Sequence, residues 1–278
     1  RKIMIELIIF ILSGIFIGIA AGLFGLGGGL IIVPVVTYSL ILFSGMLLEE
    51  AILYAISTSL ASMVLTGAMA FYAHNKNKNI DYKIIDKFIY GLILGALIIG
   101  FIIKFIPGTS LKNFFIIYTF FIAYKLFNHK SNLIRSPMPN QFVSNLIAFF
   151  FSIISGLVGI GGATLYVPYL IKKNIPSKLA IGTSSVLGFF IGLGASIAIF
   201  ISATFTNNSN ESLFGFIYIP AILFLTIPSL IFVKISAGWL LKIPEKLINK
   251  LFCILLIVIG LLMLIMWFLD LKYINLNL

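Results

Sequence analysis

Two short stretches hold the residues most suited to binding something: "GLGGG" at Gly25–Gly29 and "GIGGA" at Gly159–Ala163. Glycine lets a backbone reverse with positive φ and lets another group come close. An apolar, helix-like run resumes after each turn, so each turn opens a helix. The first N–H groups of a helix have no intrahelical acceptor, and the positive end of its dipole lies there. In hydrocarbon those donors need a partner, and an anion is one. Gly25, Gly27, Gly28, Gly29, Gly159, Gly161 and Gly162 are therefore candidate anion contacts.

Hydroxyls form the second constellation. "AISTS" (Ala55–Ser59) supplies Ser57, Thr58 and Ser59, and "AIGTS" (Ala180–Ser184) supplies Thr183 and Ser184, with Ser185 next. Thr58 and Thr183 lead this group because both copies keep threonine. Thr164, just beyond the second turn, joins it. Serine and threonine in membrane helices also bond their own backbone or a neighbouring helix, so structural roles stand beside the binding one. Ala163 matches Gly29, and Gly182 matches Ser57, so the two half-sites are not equivalent.

What is missing narrows the chemistry. No charged residue or histidine lies clearly in the centre of an apolar span, where such groups usually mark proton relays or ion sites. Hydroxyls, amide N–H groups and helix dipoles suit a small anion, such as an oxoanion, better than a cation. His74 and His129 are expected in polar loops, and no HExxH, CxxC or Walker A pattern occurs. Serine without a base at membrane depth is not a nucleophile. The expectation is no enzyme, with no catalytic residue, metal ligand or cofactor.

The elements that must position these residues are membrane helices. The 278 residues are 61% hydrophobic and 10% charged, and the mean hydropathy is +1.17. Soluble domains run near 45–50% apolar and about 25% charged. Long unbroken apolar runs exclude the alternating pattern of a barrel. The single cysteine, Cys253, allows no disulfide within the chain.

Ten apolar segments run from Ile3–Phe24 to Leu247–Leu269. The first resembles a signal peptide, but its counterpart sits mid-chain, so it is expected to belong to the fold. Phe142–Ile160 and Ala163–Ile171 share thirty residues, whereas one full span takes about 20. Short, tilted or re-entrant arms joined by the glycine turn are expected there. The first hairpin would dip in from outside and the second from the cytoplasm, with their tips approaching inside the membrane.

The chain repeats itself. At an offset of 134, Gly22–Pro34 matches Gly156–Pro168 at seven of thirteen positions, including the trailing Pro34 and Pro168. Internal repeats are a building rule of transporters. If all ten segments alternate direction, fourteen of the nineteen basic residues fall on one face. If each glycine-rich pair is instead one broken span, they divide almost evenly. The positive-inside rule favours the first arrangement. It places both termini outside, the basic loops in the cytoplasm and the whole net charge of +11 on one face. Membrane orientation thus explains the basic balance, and no nucleic-acid partner is expected. Five segments per half invert the second repeat. The expected division is a first membrane repeat at 1–127, a cytoplasmic linker at 128–140 and a second repeat at 141–278.

The doubled pattern, "GLFGLGGGLIIVP" with "AISTS" and "GLVGIGGATLYVP" with "AIGTSS", resembles the TauE/SafE (sulfite exporter, TSUP) family of bacterial membrane proteins. The resemblance implies a bacterial inner-membrane transporter of sulfite, sulfonates or related organosulfur anions, and leaves direction and oligomeric state open. The combined expectation is an all-α integral membrane protein working as a secondary transporter of small anions. Its partners would be that anion and the lipid bilayer, and substrate would bind near the midplane between the turns and the Ser/Thr clusters. An anion channel or a non-transporting scaffold subunit are the alternatives.

Overall fold

The computed structural model describes residues 2–25, 27–127, 137–203, 213–214 and 216–276. Its helices are α1 (Lys2–Phe24), α2 (Gly29–Ser44), α3 (Leu48–Lys76), α4 (Tyr82–Ile102), α5 (Gly108–Phe127), α6 (Gln141–Val158), α7 (Ala163–Lys172), α8 (Ser177–Ala203), α9 (Ile219–Trp239) and α10 (Glu245–Leu276). A 3-10 turn, Ile103–Phe105, leads from α4 towards α5. A two-residue hairpin, β1 (Leu213–Phe214) with β2 (Ile217–Tyr218), precedes α9. The protein is an all-α integral membrane protein, as composition demands. Among the described residues, seven helices are long and apolar enough to cross a membrane.

Local chemistry sets the helix ends. Asp81 caps α4 by accepting from the Lys83 N–H, and Asn140 caps α6 by accepting from the Val143 N–H. Both use a short polar side chain where orphan donors begin. α6 ends on Gly159 with φ +68°, the left-handed stop that glycine adopts at little cost. α7 has only ten residues, about 15 Å at 1.5 Å per residue. That is half of a hydrocarbon core of about 30 Å.

Contacts along the helices fix their directions. Ser39, late in α2, reaches Glu6 at the start of α1. Lys173, just past α7, reaches the Pro137 carbonyl just before α6. Each glycine turn therefore joins a true hairpin that returns to the end it came from. α3 and α8 cross antiparallel, with Leu60 and Met63 against Gly192 and Gly67 against Phe189. A broken span at the second turn would make that pair parallel, so the observed crossing has the sense that a reversal between α6 and α7 gives.

Two long seams hold the bundle. α1 runs parallel to α9, and Gly14, Gly18 and Gly22 lie directly on Leu225, Ser229 and Val233. α4 runs parallel to α6, with Gly91 and Gly95 on Asn145 and Phe149. A Cβ at any of these glycines would strike the facing backbone. Small residues let membrane helices approach to this distance, where dispersion and close packing drive association.

One placement corrects the sequence reading. His74 is not in a polar loop. It sits in the last turn of α3 with its side chain fully buried, because α3 continues to Lys76 before the chain turns. His129, most of the 128–140 linker and the polar stretch Thr206–Ser212 lie outside the described residues.

Candidate functional site

The two turns meet. Gly25, Gly27 and Gly28 have φ of +70°, +63° and +84°, conformations that an L side chain resists. Gly29 lies against the Gly159 carbonyl oxygen, with no room for a Cβ. Ser59 Oγ donates to that same carbonyl at 2.7 Å. Thr66 Oγ1 donates to the Gly27 carbonyl at 2.6 Å. From the other side, Gly188 of α8 faces Gly161 and Gly162. The α3–α8 crossing thus braces both tips, and neither tip is a free loop.

The second turn leaves four amide donors. The first bonds of α7 run from the Leu165 and Tyr166 N–H groups to the Gly162 carbonyl, at 3.0 and 2.8 Å. Gly161, Gly162, Ala163 and Thr164 precede them. Among the described residues, these four donate no backbone hydrogen bond. Thr164 is fully buried, and its Oγ1 pairs with the Tyr118 phenol of α5.

A cavity of about 290 Å³ reaches this point. Thr164, Pro168, Tyr169 and Lys172 line it along one face of α7, with Lys125 of α5 and Phe151 of α6 opposite. Lys125 and Lys172 are exposed, on the end where the helices' basic residues gather, and Thr164 is buried about 12 Å along α7 from Lys172. Among the described residues, the buried Tyr169 phenol has no hydrogen-bond partner. The result is a funnel with two cations at its mouth and the Thr164 hydroxyl at its inner end, where α7 leaves the second turn. Field lines of one sign focused in a cleft raise the local concentration of the opposite ion.

The hydroxyl clusters divide. Ser59 and the turn glycines come together at the tips, and Ser185 Oγ lies beside Gly25 while donating to the Ile181 carbonyl at 3.0 Å. Thr58 and Thr183 do not share a pocket. Thr58 Oγ1 donates to the Tyr54 carbonyl and accepts the Tyr218 N–H at 2.9 Å. Thr183 Oγ1 accepts the Asp81 N–H at 3.0 Å. Each holds the residue that caps a helix, α9 in one case and α4 in the other. Because α3 and α8 cross antiparallel, the two threonines sit on opposite sides of the crossing. Ser57 and Ser184 are buried, and their hydroxyls have no partner among the described residues.

Sequence reading did not single out Tyr118, Tyr169, Lys125 or Lys172. Tyr118 is one of eleven tyrosines, and nothing in its spacing marks it. The lysines were visible as loop charge, and their convergence on one mouth depends on packing.

The sulfite exporter TauE/SafE description matches residues 10–263, a stretch that contains both hairpins and their bracing helices. The chain belongs to the TauE/SafE family. A probable membrane transporter protein of Haemophilus influenzae is 30% identical over 253 residues, covering 90% of this chain and 95% of its own length. One from Methanocaldococcus jannaschii is 28% identical, covering 92% and 94%. One from Bacillus subtilis is 29% identical over 70% of this chain and 78% of its own. No solved structure matches the chain. This TauE/SafE member is thus a multi-pass protein of a membrane-transporter family, with its funnel, turns and seams all within the shared region.

Proposed function

We propose that the protein is a secondary transporter of small anions, sulfite, sulfonates or related organosulfur compounds among them, working by alternating access between inverted repeats. The observation that carries the anion reading is the funnel: basic at its mouth and bounded at its inner end by Thr164, next to a turn whose amides make no backbone hydrogen bond among the described residues. An anion there takes amide hydrogen bonds that the protein leaves open, at the positive end of α7. In the repeat reading, the amides of Gly27–Leu30 in the first tip are the counterparts of these donors. Gly25, Gly159, Ser57 and Ser184 shape its surroundings, Ser59 and Ser185 brace it, and Thr58 and Thr183 serve as locks on α9 and α4.

The pairing of helices supports the repeat reading. Exchanging each helix with the one five places on turns the α1–α9 seam into the α6–α4 seam. It also turns the Thr58–Tyr218 bond into the Thr183–Asp81 bond. The repeats are then 1–127 and 141–278, in the bacterial inner membrane with the basic end cytoplasmic. The funnel opens on that end, so this conformation faces the cytoplasm, and rocking of one repeat against the other exposes the tips to the opposite side.

Sulfite and alkylsulfonate flux into proteoliposomes tests the proposal. Saturable flux with counterflow supports it. Unitary currents identify a pore instead, and absence of flux with every such anion overturns it.

A further inference from the structure

Glu6 is the one buried carboxylate among the described residues, with 5% of its surface exposed. It stands in the second turn of α1, inside a stretch apolar enough to span. Its hydrogen-bond partners among the described residues are two neutral hydroxyls: Ser39 Oγ of α2 and Tyr218 Oη both donate to its Oε1. A carboxylate held this way in a membrane protein is expensive and by default functional. The anion site described above makes no use of it.

What the carboxylate holds is more telling. Tyr218 caps α9. Its backbone N–H is bound by Thr58 Oγ1 at 2.9 Å, its phenol by Glu6 at 2.9 Å, and its ring packs edge-on against Phe10 of α1. Tyr218 thus ties the start of α9 to α1 and α3 directly, and Glu6 extends the tie to α2 through Ser39. Burial, and then the hydrogen bond and negative charge of Glu6, push the phenol above the ordinary tyrosine range. Tyr218 therefore remains the donor to Glu6.

Tyr218 is the titratable group that touches the carboxylate. The other ionisable groups near this end, on elements packed against α1, are Tyr38 of α2 and Glu49, Glu50 and Tyr54 of α3. Tyr72, His74 and Lys76 of α3, Lys178 of α8, Lys234 of α9 and Lys250 of α10 stand towards the other end. The side chains of Lys2, Asp270, Lys272 and Tyr273 lie outside the described residues.

We infer that Glu6 is a proton-binding site whose protonation releases the Tyr218 latch and frees the start of α9. A proton from the water at this end adds to a carboxylate oxygen and forms an O–H bond. The acceptor loses its charge, and charge-assisted hydrogen bonds are about twice as strong as neutral ones. The holds of Ser39 and Tyr218 weaken together. Deprotonation returns the proton to water and resets the latch. Taken with the transporter reading, on which this consequence alone rests, the latch couples a proton to the opening of the closed end.

Hydrogen exchange tests the latch without any substrate. The full-length protein in nanodiscs is followed across pH, with the intrinsic pH dependence of exchange divided out. Exchange at 217–221 is expected to rise about tenfold as Glu6 protonates. Glu6→Gln, a neutral mimic, should exchange fast at every pH. Should that variant not fold, Tyr218→Phe keeps the ring against Phe10, removes the donor, and should behave the same way. Corrected exchange that stays flat with pH in the unsubstituted protein, or a pH response retained in the variants, overturns the site. Coupling is read separately in proteoliposomes. Glu6→Gln should keep counterflow of sulfite or sulfonate and lose accumulation driven by a pH gradient. Retained accumulation overturns the coupling. Absence of flux in the unsubstituted protein counts against the transporter reading and leaves the exchange result to decide the latch.

Discussion

Ser59 of α3 donates a 2.7 Å hydrogen bond to the carbonyl of Gly159, one hundred residues away at the tip of the second hairpin. The first tip closes on the same oxygen through Gly29. One carbonyl thus gathers both hairpins and the helix that crosses behind them.

Ser59→Ala strips the donor from that buried carbonyl. A buried acceptor left unsatisfied costs about 1–3 kcal/mol. Unfolding in detergent should show a loss of that size, with flux reduced because the tips lose their common brace.

Gly29→Ala drives a methyl group into the Gly159 carbonyl. The backbone has to move, and overpacking of this kind costs about 1–3 kcal/mol or more. Gly238→Ala is the control, since nothing lies within 4 Å of a Cβ there. Thermal melting should separate the two clearly, with Gly238→Ala unchanged or slightly stabilised.

Thr164→Val keeps the volume and removes the hydroxyl at the inner end of the funnel. The KM for flux should rise about tenfold, the equivalent of one hydrogen bond to a charged group. Tyr118→Phe alone should have a smaller effect, because the Thr164 hydroxyl and the amides remain. Equal effects from both single variants and the double would mean that Thr164 only braces Tyr118.

Lys125→Gln and Lys172→Gln change the mouth and leave the inner end intact. Each should raise KM about threefold at low salt, with kcat unchanged. The effect should shrink towards 1 M salt, where screening acts over about 3 Å. A salt-independent loss would place these lysines in a structural role.

Thr58→Val and Thr183→Val should each lower stability by about 1–3 kcal/mol by orphaning the Tyr218 or Asp81 N–H. Substrate KM should stay put, because neither hydroxyl faces the funnel. Melting curves paired with flux kinetics check both halves of the statement.

The hairpins were legible because glycine and proline weaken helices, and chance does not set them twice in the same order inside apolar sequence. The alternating order that concentrates lysines on one face makes α3 and α8 antiparallel, and their crossing at Gly67 and Gly192 has that sense. The roles of the threonines were not legible. Recurrence showed that Thr58 and Thr183 matter to both halves, but spacing along a helix gives a position and not a partner. Each partner proved to be a backbone N–H more than one hundred residues away. Glu6 read as one more charge at the outer face, because Tyr218 lies 212 residues further on. His74 read as loop because the polar run "HNKNKN" hides one more helical turn.

The α1–α9 seam has a consequence for how the chain is made. Gly14, Gly18 and Gly22 fit only against α9, whose residues are synthesised about 200 positions later, roughly 10–40 s behind at 5–20 residues per second. For that interval the first helix waits in the bilayer with its flattest face turned to lipid. The bundle therefore cannot close in the order in which it is translated. One of its late seams belongs to its first helix, and a ribosome stalled before α9 would leave an assembly with an open side.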